Sequence, residues 1–191
     1  MRKVLISLIL VLSSSIAFSS APPPNPVVEL NTSAGRIVLV LDAELAPQTV
    51  EHIVELVDAG FYDGLIFHRV IDGFMVQGGG FLPDLQPRDD EETIQNESRN
   101  GLSNRRGTIA MARTGDPHSA SSQFFINVVD NERLDHRGSP GTMRWGYTVF
   151  GNVIQGMDVV DEIAATETGN MNGFSDVPVE PIVIESARRV D

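Results

Sequence analysis

Short β-branched and apolar runs, punctuated at close intervals by turn residues, fill most of this chain. Val27 to Leu30 and Arg36 to Leu41 are two such runs, separated by Asn31 to Gly35, so a hairpin is expected to open the fold. The period then changes. Val50, Ile53, Val54 and Val57 follow the i, i+3, i+4, i+7 spacing of an amphipathic helix, with Pro47 suited to its first turn and Gly60 to its end. His52 falls one position before Ile53 and reads as a surface histidine.

The stretch FHRVIDGFMVQGG, Phe67 to Gly79, has two apolar arms around Asp72-Gly73, which is a two-residue hairpin signal because glycine accepts a positive φ. Alternation puts Phe67 and Arg69 on one face of the first arm, and Met75 and Gln77 on one face of the second. Gly78 to Gly80 and the polar stretch from Pro83 to Arg106 read as long loop, with Arg105-Arg106 a solvated turn. Thr108 to Ala112 reads as a strand and Arg113 to Ser122 as a loop. In the strand Ser121 to Ile126, Phe124 and Phe125 must face opposite ways: one enters the core and the other shares a face with Gln123.

Tyr147 to Val153 gives another strand, Met157 to Ala164 a short helix with Val160 and Ile163 inward, and Pro181 to Ala187 a closing strand. About eight strands at short spacing with two helices point to an all-β barrel or sandwich, and closure would remove exposed edges. The pattern shows no internal repeat and no second domain.

The length, 191 residues, suits one domain. Arg2 and Lys3 precede the apolar run Val4 to Leu12, and Ser19-Ser20-Ala21 is a small-residue cleavage site, so residues 1–21 read as a secretory signal peptide. A cut after Ala17 is the alternative. The apolar run falls short of the roughly 20 residues that span a bilayer. Residues 22–26 then form a Pro-rich leader and 27–191 the folded domain, a periplasmic or secreted protein with no membrane attachment after cleavage.

Net charge is −12, and Lys3 is the only lysine. So acidic a surface argues against nucleic acid as the normal partner, because a phosphate backbone is bound by a net positive footprint. The absence of cysteine excludes a disulfide framework and a thiol nucleophile. Nothing in the pattern demands more than a monomer.

Most catalytic constellations are missing. The histidines at 52, 68, 118 and 136 have no HxxxH or HxH spacing, which argues against a metal site. The Gly78 to Gly80 run lacks the ending of a phosphate loop, and no GxSxG elbow accompanies the serines at 119, 121 and 122. Arg69 is the unusual feature. An arginine among apolar residues cannot shed its proton and must find acceptors from the protein or from a ligand. Taken alone, an arginine in a strand is more often a solvated or salt-bridged surface residue than a functional one. What remains is a cleft chemistry with no nucleophile, metal or cofactor.

With FHRVIDGFMVQGG, TIAMART and SSQFFINV in that order, the chain resembles the cyclophilins, peptidyl-prolyl cis-trans isomerases, and looks closest to their periplasmic bacterial branch. The likeness runs from about Val27 to Arg188 and includes YTVFGNVIQGMDVVD and the final PIVIESA. It implies a closed eight-stranded antiparallel β-barrel capped by a helix at each end, with a binding groove outside the barrel. It implies that Arg69 is the catalytic arginine and that Phe74, Met75 and Gln77 surround the substrate proline and its neighbours. By the same resemblance Ala112 and Arg113 take the residue before proline, Gln123 lies near the substrate backbone, Phe125 floors the proline pocket and Leu134 completes it.

Departures from the family pattern stand beside this. Arg133 replaces a tryptophan that in many members lines the groove and contributes to cyclosporin binding. Tyr147 replaces a common histidine, with a ring that can still wall the groove, and Asp72 replaces a common proline. A small insertion around Met143 to Gly146 adds Trp145 near the groove. The partners implied are unfolded or loop-exposed X-Pro segments of exported proteins. Two other readings stand beside it: a proline-peptide-binding module or holdase that keeps the groove but turns over slowly, and a barrel holding a small apolar ligand inside.

Overall fold

The computed structural model describes residues 25–88, 92–138 and 144–190. The signal peptide assigned to residues 1–21, most of the leader behind it and Met143 lie outside these residues.

β1 (Val27–Thr32) and β2 (Gly35–Leu41) form the opening hairpin, where the Thr32 hydroxyl donates to the Gly35 carbonyl at 2.6 Å. β3 (Phe67–Ile71), β4 (Met75–Gly78), β5 (Thr108–Met111), β6 (Phe124–Asn127), β7 (Val149–Gln155) and β10 (Ile184–Arg189) complete an antiparallel eight-stranded sheet. Its order is β10-β1-β2-β7-β5-β6-β4-β3.

The closure implied by the resemblance is only partial. β3 and β10 are the two ends of the sheet and share no ladder. Instead the chain just ahead of each is stitched by the Ile66–Val183 bridge, with the Phe67 amide donating to the Ile182 carbonyl at 3.0 Å and the Ile184 amide to that of Leu65 at 2.7 Å. The sheet therefore curls into a barrel whose seam is short.

α1 (Pro47–Asp58) begins on Pro47 and buries Val50, Ile53 and Val57 against the sheet interior, as the spacing requires. His52 is buried too, contrary to its reading as a surface residue, on a side of the helix that shares a cleft with Glu92 to Gln95. The helix has no cap of its own, since Ala46 precedes it. Its first amides are capped from a distant loop: the Glu97 carboxylate accepts from the amides of Gln48 and Thr49 at 3.1 and 2.9 Å and from the Thr49 hydroxyl at 2.7 Å. A negative charge at this end also opposes the helix dipole favourably. Glu97→Ala is therefore expected to cost about 1 to 2 kcal/mol of stability. Urea unfolding would show it, and an unchanged midpoint would mean that water caps the helix as well as Glu97 does.

α2 (Met157–Ala164) sends Val160 and Ile163 into the same core, alongside Leu30, Ile37, Phe67, Phe124 and Phe150. The free space left among Val28, Leu39, Ile53, Tyr62 and Phe150 is about 10 Å³, room for roughly one water molecule at most. Side chains fill the barrel, which removes the reading of a ligand carried inside it.

One hairpin is absent from the sequence reading. β8 (Thr168–Met171) and β9 (Phe174–Pro178) pair across Asn172-Gly173, both at positive φ (49° and 86°), and β9 lies against β3 outside the main sheet. Asn-Gly is the favoured two-residue turn for a hairpin, so the signal was present.

Candidate functional site

A groove of about 600 Å³ opens on the outer face of the barrel across β3, β4, β6 and the start of the loop after β5. All ten residues assigned to the site line it: Arg69, Phe74, Met75, Gln77, Ala112, Arg113, Gln123, Phe125, Leu134 and Tyr147. Strand register explains why they meet. Arg69 faces Gln77, Gln77 faces Phe125, and Phe125 faces Ala110, so one row of side chains crosses four strands. Neighbouring strands lie about 4.8 Å apart, so the row spans about 14 Å, enough for a short extended peptide.

Phe67 and Arg69 do not share a face. Phe67 pairs with Gly78 and Arg69 with Gln77, so two steps along β3 match one along β4. The extra residue is a bulge, which turns the strand and re-aims its side chains. Phe67 goes fully into the core, where its ring meets Phe124, while Arg69 emerges into the groove. The turn after β3 is also longer than expected. Ile71 pairs with Met75 across Asp72, Gly73 and Phe74, the Phe74 amide donates to the Ile71 carbonyl at 3.1 Å, and Gly73 supplies the positive φ of 64°. The third loop residue brings Phe74 to the groove rim.

The pairing of Met75 with Gln77, and of Phe125 with Gln123, holds. Phe124 packs in the main core, edge-on to Tyr62 and Phe67, whereas Phe125 joins Met75, Ala110 and Val149 in a separate apolar cluster under the groove. Phe74, Ala112, Leu134 and Tyr147 pack around that cluster, the Tyr147 ring meeting Phe125 edge-on at 5.6 Å. Gln77 donates to the Gln123 side-chain oxygen at 3.1 Å, which fixes both amides on the rim. Close approach at Gly80 makes this possible, since a Cβ there would sit 2.6 Å from the Gln123 side chain.

Arg113 is already engaged. Its guanidinium donates to the carbonyls of Trp145 (2.9 Å), Gly146 (3.2 Å) and Thr114 (2.9 Å) and stacks over Tyr147 at 4.6 Å, so it builds the wall more than it reaches out. Arg133 stacks over Phe74 at 4.6 Å and covers that ring with a cation. Trp145 does not line the groove. Its ring is held by His118 (5.0 Å), His136 (5.6 Å) and the Arg99 guanidinium (4.9 Å).

The Arg69 side chain is 44 % exposed, and its Nε lies 3.6 Å from Asp176 Oδ2, longer than a direct hydrogen bond. The pair is solvated and loose, and the groove stays open beside it. Beyond the assigned residues, His68, Phe81 and Gly173 to Asp176 also line the groove. The Asn172-Gly173 turn was the only local sign of the last four. Among the described residues no three His, Cys, Asp or Glu side chains converge to hold a metal ion.

Burial, and after it the positive charge of Arg69, push the His68 imidazole down from the usual 6.5 to about 4. It is neutral in the folded protein at neutral pH. Between those two values the unfolded chain takes up a proton that the folded chain refuses, so stability present above pH 6.5 is lost as pH falls toward 4. The full loss is roughly 3 kcal/mol. Unfolding midpoints are expected to fall less between neutral and mildly acid pH for His68→Gln than for the wild type, and parallel curves would overturn the assignment.

The sequence pattern of the family described as "Cyclophilin type peptidyl-prolyl cis-trans isomerase/CLD" matches residues 27–189. The chain is 59% identical over 161 residues to a peptidyl-prolyl cis-trans isomerase of Streptomyces antibioticus, covering 84% of this chain and 96% of that one. It is 49% identical over 189 residues to peptidyl-prolyl cis-trans isomerase A of Dickeya dadantii, covering 98% and 97%. In fold it is similar to a crystal structure of a Cryptosporidium parvum cyclophilin type peptidyl-prolyl cis-trans isomerase, with TM-score 0.71 at 24% identity over 87% of this chain and 98% of that one. A second structure of that protein, in the presence of the dipeptide Ala-Pro, gives TM-score 0.70 at 23% identity, over 86% of this chain and 99% of that one.

Proposed function

The chain belongs to the cyclophilin type peptidyl-prolyl cis-trans isomerase family, and from that premise we propose that it speeds rotation about X-Pro bonds in exported polypeptides, with Arg69 as the catalytic cation. The observation that carries the reading is the row Arg69–Gln77–Phe125, a permanent charge at the rim of an outward-facing apolar cluster.

An X-Pro bond resists rotation by about 18 to 20 kcal/mol because the amide is conjugated. At the perpendicular transition state conjugation is lost and the proline nitrogen gains an available lone pair. A donor carrying charge stabilises that twisted form more than either planar form, which is the condition for catalysis. Arg69 cannot deprotonate, and its donors lie in one plane.

Raising a rate near 0.01 per second to about 1000 per second takes about 7 kcal/mol off the barrier. One charged donor in a partly dry groove supplies about 3 of these. Holding the proline ring against Phe125, Met75 and Leu134 while the preceding carbonyl swings supplies the remainder through orientation. Ala112 and Arg113 follow β5 and line the same groove, which supports giving the residue before proline to that end of it. The client is thus an unfolded or loop-exposed X-Pro segment.

Exchange NMR on a short X-Pro peptide tests the activity directly. Cis and trans resonances are expected to exchange faster in proportion to added protein; unaltered exchange would reject isomerisation. Export is supported by Arg2 and Lys3 ahead of Val4 to Leu12 and by Ser19-Ser20-Ala21. N-terminal sequencing of protein recovered outside the cytoplasm should begin at Pro22, or at Phe18 for the upstream cut. An intact leader on cytoplasmic protein would refute it.

A further inference from the structure

We propose that Asp176 is a positioning residue for Arg69, its carboxylate holding the Nε edge of the guanidinium so that the outer amino groups face the substrate. The inference rests on the reading of Arg69 as the isomerising cation.

The β8–β9 hairpin contributes no strand to the eight-stranded sheet, yet its turn and first residues reach the groove: Phe174, Ser175 and Asp176 line the same space as Arg69. It is anchored there by a chain of rings. Phe174 meets Phe81 edge-on at 5.1 Å, and Phe81 packs on His68 at 4.6 Å, the bulged residue next to Arg69. The bulge that turns Arg69 outward and the hairpin that delivers Asp176 are therefore one packed unit.

The backbone at Asp176 points the same way. Gly169 pairs with Val177 and Met171 with Phe174, so β9 carries one residue more than β8 between these pairs, and Asp176 lies in that bulge at φ 62°. Bulges of this kind favour glycine where φ is positive. Aspartate tolerates the left-handed region better than most residues but is still disfavoured there. A conformation glycine would adopt freely thus carries a carboxylate, and the carboxylate lies 3.6 Å from Arg69 Nε.

That contact touches one edge of a planar group with five donors. Among the described residues no hydrogen bond from Arg69 to the protein takes up its other donors, so both terminal amino groups are available to a visiting proline nitrogen. At this distance the attraction orients the cation without locking it. A tighter bidentate pair, such as Arg106 with Asp161 at 2.7 and 2.8 Å, would occupy the same amino groups.

The test compares the wild type with Asp176→Asn and Asp176→Gly by exchange NMR on an X-Pro peptide, with Arg69→Ala alongside. Both Asp176 variants are expected to lose about fivefold in kcat with KM within about twofold, the size of one partly exposed ion pair. Glycine relaxes the backbone, so its unfolding midpoint should equal or exceed that of the wild type while kcat still falls. Added salt should shrink the gap between wild type and variants. Relaxation of the Arg69 Nε resonance should report a more mobile guanidinium in both variants. Unchanged kcat, a loss confined to KM, or an equally ordered Nε resonance would each overturn the positioning role. If Arg69→Ala is as active as the wild type, the catalytic reading itself fails, whereas the Nε relaxation still decides whether Asp176 holds the side chain.

Discussion

Arg69→Ala is expected to lower kcat/KM for an X-Pro peptide by roughly 100- to 1000-fold, the usual penalty for removing one donor aimed at a developing charge or lone pair. Stability should barely move. The side chain is 44 % exposed and, among the described residues, it packs into no core and makes one ionic contact, to Asp176, that is long and solvated. A protein that keeps its unfolding midpoint and its affinity for proline peptides while losing turnover would separate isomerase from holdase. Arg69→Lys should recover only part of the loss, because a point charge on a flexible stem lacks the planar fork of donors. Should Arg69→Ala isomerise peptide at the wild-type rate, the groove would be a peptide-binding module and the mechanism given above would be wrong.

Two neighbouring phenylalanines should respond in opposite ways. Phe124 is buried between Tyr62 and Phe67 in the main core, so Phe124→Ala removes edge-on ring contacts and leaves a sealed void, at a cost of about 3 to 5 kcal/mol. Phe125 points to the other face, beneath the groove with Met75, Val149 and Tyr147. The space vacated by Phe125→Ala opens to the groove and fills with water, so its stability cost is smaller. Its effect falls on substrate: losing the floor of an apolar socket is worth about 1 to 3 kcal/mol, or roughly 5- to 150-fold in KM. Urea unfolding and peptide kinetics on both variants would check the pair. Equal stability losses with equal kinetics would mean that the two rings do not serve two different compartments.

The alternation that sends these rings apart was legible because it is a property of the strand itself. The same holds for the stripe Val50, Ile53, Val57 on α1 and for Met75 with Gln77 on β4. It failed at Phe67 and Arg69, where a bulge changes the local count and no residue type announces it. It failed at His52, which is buried beside a cleft that the helix shares with a distant part of the chain. Asp176 lay in a stretch with an unread Asn-Gly turn. Even a correct hairpin there would not have said which strand it leans on.

By itself the sequence determined the elements of the main sheet and the two helices, the inward and outward residues of regular strands, the acidic charge, and the ordered motifs that tie the chain to its family. Each of these is written in the spacing of neighbouring residues. The tertiary structure alone decided that the barrel seam is a short bridge, that Glu97 caps α1, and that Asp176 meets Arg69 beside the groove. Those contacts join segments far apart along the chain, and their geometry depends on register and packing that local periodicity does not encode.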